Sequence, residues 1–365
     1  MIVLPTETVE APPIETFPIH KAKRAKPPSA AEPPTERHNV QVLFGTDRKV
    51  VIASTGKPED QFSHERGPLR LGLAEVSIPP HHRIGEVERP SWLHFELSED
   101  PDKHVILKSA QLGSSEEFKR WIDQLQTGKP NRTAFVFVHG YNVSFQVAAL
   151  RTAQMAYDLG IDSLPAFFSW PSQGKLSGYP ADEANAEWTE PHVKAFLALF
   201  ADQSKAGEIY VVAHSMGSRP TTRALAALLR ERADLRPRFR ELVLAAPDFD
   251  AAVFKEQFLP TFMAMGQHVT LYASSKDKAL KASDELHGGE PRLGQAGSAL
   301  FVEPGIETVD ASQVDTDFLG HSYIAASATL LTDLRRLLHD HLRAPDRPKM
   351  QTRGSDALRY WVLTP

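Results

Sequence analysis

The chain has 365 residues, of which 41% are hydrophobic and 24% are charged, and its formal net charge is -5 at pH 7. This profile is typical of a globular protein with one large domain or two small ones. The mild acidity and the lack of a dominant basic stripe argue against nucleic acid as a partner. The chain contains no cysteine, which excludes disulfides and thiolate metal sites. A membrane-spanning helix needs about 20 consecutive apolar residues. No apolar run in the sequence comes close to this length, so no membrane span is expected.

The first 37 residues form a proline-rich arm. They contain eight of the 28 prolines and the short basic cluster "KAKRAKPP". Such a segment buries too little apolar surface to offset the entropy cost of ordering, so we expect residues 1–37 to be disordered. The arm also lacks the unbroken apolar core of a signal peptide, which favours a cytoplasmic protein. If an export signal was removed ahead of the given sequence, the protein would instead be periplasmic or secreted.

The next part of the chain contains several strand candidates. The adjacent residues His81 and His82 lie among them, after two prolines and without a carboxylate at ligand spacing. We therefore interpret this histidine pair as a surface turn rather than a metal site. The predicted strands are "VQVLFGTDRKVV", "LGLAEVSIPP", "WLHFELSE" and "HVILKSAQL".

From residue 115 onward, predicted helices and strands alternate. The segment "SSEEFKRWIDQLQ" predicts an amphipathic helix capped by Ser114 or Ser115. Strands separated by helices imply right-handed crossovers, so we predict an α/β fold with a mainly parallel central sheet, helices on both faces and extra N-terminal strands. This catalytic domain is expected over residues 38–345, with a C-terminal tail over 346–365. The glycine-rich "LHGGEPRLGQAG" breaks the pattern and predicts a mobile loop.

One serine stands between a predicted strand and a predicted helix. In "GEIYVVAHSMGSRPTTRALAALL" a short apolar run ends at Ser215, and apolar residues then recur at helical spacing. So abrupt a reversal is expected to strain the backbone at Ser215 and to leave its side chain accessible at the end of the sheet. The alternative is that Ser215 only caps the helix.

A parallel sheet places its reactive residues at the carboxyl ends of its strands. In chain order these ends and the following loops supply Ser215, then an acid that is either Asp248 or Asp277, and then His321. Serine, acid and histidine follow one another in this order in α/β-hydrolases. In such a triad the histidine takes the serine proton, and the acid orients the histidine and stabilises its charged form.

The developing oxyanion requires two backbone N–H donors. One is expected from Met216, directly after the nucleophile, and the other from Tyr141, in the loop after "FVFVHG". We interpret His139 as a residue that fixes this loop through hydrogen bonds. We interpret His214 as a neighbour of the nucleophile that does not face it. Neither histidine lies late enough in the chain to be the expected base.

Several motifs together resemble the α/β-hydrolase superfamily, in particular its bacterial branch of esterase-like and lipase-like serine hydrolases of unknown function. The likeness covers residues 38–340. It departs from the usual G-x-S-x-G motif at Ala213, where alanine replaces the first glycine and should still fit because it is small. The resemblance implies hydrolysis of carboxylic esters through an acyl-enzyme and a Ser-His-Asp triad, with no metal and no organic cofactor. The motifs are "VQVLFGTDR", "VSIPPHHRIGEVERP", "FVFVHGYNVSF", "FFSWPSQG", "VVAHSMGSR", "APDFD", "LYASSKDKAL" and "DTDFLGHSY".

The resemblance also bears on the choice of the acid. In this family the acid usually follows the seventh strand, here "HVTLYAS", and this favours Asp277. Some lipases carry the acid after the sixth strand, which leaves Asp248 as the alternative. Two other functions remain open: an acyltransferase with the same triad, and a non-catalytic binding protein on the same fold.

The segment "PSQGKLSGYPADEANAEWTEPH" bears on the substrate. It is polar and contains Tyr179 and Trp188. It follows the predicted strand "LPAFFSW" and starts on the same side as the nucleophile, so it is a candidate lining for an acyl pocket. No long apolar lid of the interfacial lipase kind is present in the sequence. We therefore expect a small-molecule partner, a small or medium-sized soluble ester.

Overall fold

The computed structural model describes residues 36–51, 56–90, 98–128, 133–160, 162–173, 178–276, 280, 283, 288–314, 324–356 and 358–365. The strands are β1 (His38–Val50), β2 (Phe62–Ile78), β3 (Ile106–Gly113), β4 (Thr133–Val138), β5 (Ser163–Ser169), β6 (Glu208–His214), β7 (Phe239–Ala245), β8 (His268–Ala273), β9 (Ile306–Asp310), β10 (Met350–Arg353) and β11 (Tyr360–Leu363). The helices are α1 (Ser115–Gln126), α2 (Phe145–Leu159), α3 (Tyr179–Gln203), α4 (Ser218–Glu231), α5 (Ala251–Val253), α6 (Leu259–Ala264) and α7 (Ile324–Leu338).

These strands form a single sheet in the order β10-β11-β9-β8-β7-β6-β4-β5-β1-β2-β3. Strands β1, β5, β4, β6, β7, β8, β9 and β11 pair in parallel with their neighbours. Antiparallel pairing is confined to the margins, where β2 and β3 extend one side and β10 the other. The predicted mainly parallel sheet with extra N-terminal strands is confirmed.

The register brings the carboxyl ends of the central strands to one edge of the sheet. Val138, the last residue of β4, pairs with Ala213 of β6 and with Phe168 of β5. His214, the last residue of β6, pairs with Ala245, the last residue of β7. The loops that follow β4, β6 and β7 therefore meet at this edge, which we call the reactive edge.

The sheet is buried on both faces. Successive strand side chains point to opposite faces, and Phe167 and Phe168 of β5 are both fully buried in different hydrophobic cores. Phe168 packs in the core that includes Phe196 of α3, and Phe167 packs in the core that includes Phe145 of α2. Burial on both faces explains why the central strands are continuous apolar runs without alternation.

Helix α1 begins as the sequence predicts. Ser114 is its N-cap, and its side chain accepts a hydrogen bond from the Glu117 N–H while the Glu117 side chain accepts one from the Ser114 N–H. This is a capping box, in which two otherwise unpaired backbone donors are satisfied. Helix α2 ends at Gly160, whose φ of 55° is the left-handed conformation typical of a helix C-terminus.

The C-terminal segment differs from the prediction of a tail. Residues 346–365 supply strands β10 and β11, and Trp361 and Val362 of β11 pair in parallel with Val309 and Asp310 of β9. A strand of four residues carries too little pattern to be recognised in the sequence.

The glycine-rich segment also differs from its prediction, within its described residues 288–297. Leu293 is fully buried, and its N–H donates to the Phe249 carbonyl over 2.8 Å. The Gly294 N–H donates to the Pro247 carbonyl over 2.9 Å. This part of the segment packs against the loop after β7, contacts that its composition does not reveal. The predicted strand "WLHFELSE" lies almost wholly outside the described residues.

His82 is not at the surface, contrary to the prediction of a surface turn. Its side chain is only 2% exposed and lies between two carboxylates. Nδ1 is 2.9 Å from Glu88 Oε2, and Nε2 is 2.8 Å from Asp158 Oδ1. The sequence interpretation was wrong because Asp158 belongs to α2 and approaches His82 only in the folded chain.

Candidate active site

Ser215 lies at the apex of the turn between β6 and α4, and its φ is +49°. This conformation is unusual for a residue other than glycine, and strain of this kind clusters at functional sites. A short 3-10 turn covers Ser215–Gly217, and the N-cap of α4 is Gly217, with no side-chain hydrogen bond to the cap. Ser215 is therefore not the capping residue of α4. Its side chain is half-buried at the reactive edge.

Close backbone contacts fix this turn. A Cβ atom added to Gly217 would collide with the His139 carbonyl oxygen, and one added to Gly140 would lie 2.8 Å from Ser215 Cβ. The Ser218 hydroxyl donates a hydrogen bond to the Ser215 carbonyl over 2.6 Å. Glycine is therefore required at both positions, and the loop after β4 directly contacts the serine.

The residues predicted for the oxyanion hole, Met216 and Tyr141, directly follow Ser215 and Gly140 in the chain. Met216 lies in the 3-10 turn and is fully buried. Tyr141 lies in the turn after β4, the strand next to β6, and its ring is 5.4 Å from the ring of Tyr179. Ala213, which replaces the usual glycine, is fully buried within β6.

His139 and His214 both lie beside Ser215. The His139 ring is fully buried, stacks on Trp170 and has Nδ1 2.8 Å from the Gly140 carbonyl oxygen. Burial and the nearby Arg48 charge lower the pKa of His139 well below 6.5. Burial, with a smaller effect of the Arg151 charge, lowers the pKa of His214 to about 3. Both rings are therefore neutral at pH 7 and poor proton acceptors.

Asp248, the alternative acid, is 2% exposed and has partners at both carboxylate oxygens. Oδ2 accepts a hydrogen bond from the Tyr179 hydroxyl over 2.6 Å, and Oδ1 accepts one from the Ser283 hydroxyl over 2.6 Å. Arg219 Nη2 lies 3.3 Å from Oδ1, and Arg292 Nε lies 3.6 Å from it. This cluster joins α3, α4 and the segments that follow β7 and β8.

Asp277 and His321, the predicted acid and base, lie outside the described residues. The described chain does approach the reactive edge just before Asp277, because β8 ends at Ala273 beside β7. Helix α7 begins at Ile324, shortly after His321.

The two aromatic residues predicted for the acyl pocket lie in different surroundings. The Tyr179 ring contacts Tyr141 of the loop after β4. Trp188 instead lies beneath the Arg66 guanidinium of β2, 5.2 Å from it, and contacts His192 edge-on. Of the two, Tyr179 is the one that the structure brings next to the candidate site.

Two buried charged residues near the site were not singled out from the sequence. Arg48, in β1, is 2% exposed, and Asp182, in α3, is fully buried. Arg48 directly follows the buried run 42–47 in "VLFGTDR". Buried charges are rare unless they are paired, so a charge directly after an apolar strand pattern is a signal in the sequence that could have drawn attention to Arg48.

Some features are absent from the part of the chain that the structure describes. Within those residues, no group of three or more His, Asp or Glu side chains has the arrangement to hold a metal ion. Among the described helices, none is long and apolar enough to cross a membrane.

A cavity of about 190 Å³ is lined by Phe239 and His268, the first residues of β7 and β8, and so lies at the opposite end of the sheet from Ser215.

A mainly parallel sheet with a strained serine between a central strand and the following helix defines the α/β-hydrolase class. The model of the family "Alpha/beta hydrolase of unknown function (DUF900)" matches residues 114–340. The chain belongs to this family of α/β hydrolases. No curated protein matches the chain.

Several solved structures show a remote likeness. A "putative cell surface hydrolase" from Lactobacillus plantarum WCFS1 is 10% identical over 58% of this chain and 94% of that chain, with a TM-score of 0.36. Aspergillus fumigatus lipase B is 14% identical over 50% of this chain and 45% of that one, with a TM-score of 0.31. A "predicted CIB-like hydrolase" from Thermoplasma acidophilum is 14% identical over 59% and 88%, with a TM-score of 0.30. The family match, rather than these likenesses, identifies the chain.

Proposed function

We propose that this protein hydrolyses carboxylic esters with Ser215 as the nucleophile. The observation that carries the proposal is the φ of +49° at Ser215, in a turn where Gly140 and Gly217 admit close backbone contacts. Backbone strain of this kind clusters at active sites, which supports a catalytic role for Ser215. In this position the hydroxyl stands at the reactive edge, beside the loops after β4 and β7.

His321 is the proposed base, and the two histidines beside Ser215 support this by elimination. His139 Nδ1 faces the Gly140 carbonyl, and His214 Nδ1 has no hydrogen-bond partner. The lowered pKa values of both rings make them poor bases at neutral pH. A histidine from the C-terminal part of the chain, in "DTDFLGHSY", is the remaining candidate with the expected chain order.

Asp277 is the proposed acid. Its rival Asp248 has both oxygens engaged by Tyr179 and Ser283 and lies beside Arg219. An acid that orients a catalytic histidine must accept a hydrogen bond from its Nδ1–H. Asp248 is instead tied into a buried network with Tyr179, Ser283 and Arg219, which favours Asp277.

The reaction follows from these roles. His321 takes the proton of Ser215 Oγ as the oxygen attacks the ester carbonyl, and the N–H groups of Met216 and Tyr141 stabilise the oxyanion. His321 then protonates the leaving alcohol, and an acyl-enzyme remains on Ser215. Water attacks this intermediate by the same route and releases the acid.

The test is a series of p-nitrophenyl esters of increasing acyl length, assayed on the wild type and on Ser215→Ala. We expect turnover of short and medium esters by the wild type and none above background by the variant. Ser163→Ala is the matched control, because it removes a buried hydroxyl at the opposite end of the sheet. Failure of the wild type to turn over any ester of the series would contradict the proposal.

A further inference from the structure

A buried arginine lies beneath the loop that contacts Ser215. Arg48 Nε donates to the Ser169 hydroxyl over 2.9 Å, and Nη2 donates to the Val143 carbonyl over 2.7 Å. Nη1 donates to the carbonyls of Ser172 and Ser63 over 3.2 and 3.3 Å. Each guanidinium nitrogen therefore binds a group at the carboxyl end of β5 or in the loops after β4 and β5, and Nη1 also binds the Ser63 carbonyl near the start of β2.

These bonds fix the direction of a hydrogen-bond chain. The Gly140 carbonyl only accepts, so the His139 Nδ1 that lies 2.8 Å from it carries the proton. The neutral ring then accepts at Nε2, 3.2 Å from the Ser169 hydroxyl, which donates to it. Arg48 only donates, so it supplies the hydrogen bond that Ser169 accepts. The hydrogen bonds thus run in one direction, from Arg48 through Ser169 and His139 to the Gly140 carbonyl.

The end of this chain sets the orientation of one peptide group. The Gly140–Tyr141 peptide is trans, so its C=O and N–H point in opposite directions. With the Gly140 carbonyl held by the His139 ring, the Tyr141 N–H points away from that ring. The same peptide begins at Gly140, which is in contact with the Ser215 side chain.

The far end of the loop is held as well. Asn142 has φ of 59°, and its N–H lies 3.4 Å from Asp182 Oδ2. The Val143 N–H donates to the Ser172 hydroxyl, which in turn donates to Asp182 over 2.6 Å. Asp182 and Arg48 are buried charges of opposite sign that hold the same short loop. A loop fixed at both ends has little freedom to rotate the peptide between them.

We propose that Arg48, acting through Ser169 and His139, is a positioning residue of the oxyanion hole. It touches neither substrate nor nucleophile, but it determines where the Tyr141 N–H points. This inference rests on the proposed function. It gives the "VLFGTDR" segment, which lies far from Ser215 in the sequence, a part in the reaction.

Ser169→Ala is the sharpest test, because it removes the central hydroxyl of the chain and leaves every charge in place. The matched control is Ser163→Ala, at the other end of the same strand. We measure kcat and KM for one p-nitrophenyl ester and the dissociation constant of an arylboronic acid, whose serine adduct mimics the tetrahedral oxyanion intermediate. Active sites are titrated with a fluorophosphonate, so that only folded enzyme is counted.

For Ser169→Ala we expect kcat to fall about 10- to 100-fold, less than the about 100- to 1000-fold that loss of a whole oxyanion donor costs. The boronic acid should bind more weakly by the same factor, while KM stays within about twofold because ground-state binding is untouched. Arg48→Lys, which keeps the charge but not the planar fork, should show the same pattern. Ser163→Ala should match the wild type in all three constants.

Two results would overturn the inference in different ways. Wild-type kcat and boronic acid affinity in Ser169→Ala would exclude the hydrogen-bond chain and leave the proposed function intact. A wild type that neither turns over esters nor binds the boronic acid would exclude the proposed function and, with it, the oxyanion role.

Discussion

His82 and His139 are both buried, but their charged neighbours have opposite signs. The His82 ring is held between the carboxylates of Asp158 and Glu88. Burial alone would lower the pKa of His82, but the hydrogen bonds to these carboxylates raise it to about 9. His139 instead lies near Arg48, and burial together with that positive charge lowers its pKa. One histidine is a cation at neutral pH, and the other is neutral.

The two charge states suit two different tasks. The charged His82 ties the loop over residues 79–88 to α2, where Asp158 also accepts a hydrogen bond from the Gly85 N–H over 2.7 Å. These contacts stabilise the folded state. The neutral His139 has one donor and one acceptor nitrogen and can therefore transmit the direction of a hydrogen bond to the reactive edge. Changes near His82 should thus alter stability, and changes at the reactive edge should alter turnover.

The largest effect on turnover is expected from Ser215→Ala. Loss of a triad nucleophile lowers kcat by roughly 10⁶-fold, and His321→Ala should cost about as much because the two residues act as one unit. The melting temperature should stay close to that of the wild type. Both quantities are measured on the same preparations, by ester hydrolysis and by thermal unfolding.

Turnover of His139→Ala, compared with that of His321→Ala, tests the assignment of the base. If His139→Ala abolished turnover while His321→Ala left it nearly unchanged, the base would not be His321. More than a few per cent of residual activity in a clean Ser215→Ala preparation would exclude Ser215 as the nucleophile.

The next largest effect concerns the acid. Asp277→Asn should lower turnover on the order of 10⁴-fold, the loss expected when the group that orients the histidine is removed. Asp248→Asn should cost little turnover but about 1–3 kcal/mol of unfolding free energy, because buried partners lose an acceptor. Both variants are assayed on one activated ester at pH 8 and unfolded with urea. The reverse pattern would move the acid to Asp248.

A change at His82 should affect stability rather than turnover. The pKa of His82 is 6.5 when unperturbed and about 9 in the folded protein, so the proton stabilises the fold by on the order of 3 kcal/mol. This contribution is fully present below pH 6.5 and is lost as the pH rises through 9. Urea unfolding of the wild type and His82→Gln should therefore differ most near pH 6 and least near pH 10. A difference that does not change with pH would contradict the charged state of His82.

The smallest effect is expected from removal of residues 1–35. A proline-rich polar segment buries too little apolar surface to contribute to the domain, so turnover and melting temperature should stay nearly unchanged. A drop of several degrees in the melting temperature would show that residues 1–35 pack on the domain.

The sequence predicts those features that depend on local pattern. The apolar runs of β4 to β8 and the capping box of Ser114 are visible in short segments. The chain order of Ser215 among these strands predicts its place at the reactive edge. Each of these signals is contained within a few neighbouring residues.

The features that the sequence does not predict depend on contacts between distant segments. Arg48 is hydrogen-bonded to Ser169, which is 121 positions away in the sequence, and His82 to Asp158, which is 76 positions away. No local pattern indicates that a charge will be buried against such a partner. Strands β10 and β11 were missed for a different reason, because four residues are too few to show a period.

The most direct test of Ser215 as the nucleophile is the mass of the intact protein after treatment with a fluorophosphonate, followed by peptide mapping. This reagent forms a covalent bond with a serine hydroxyl that a neighbouring base has activated. We expect one adduct per chain, located on Ser215, and no adduct in the folded variant Ser215→Ala. An unlabelled wild type, or a label on a serine other than Ser215, would contradict this assignment.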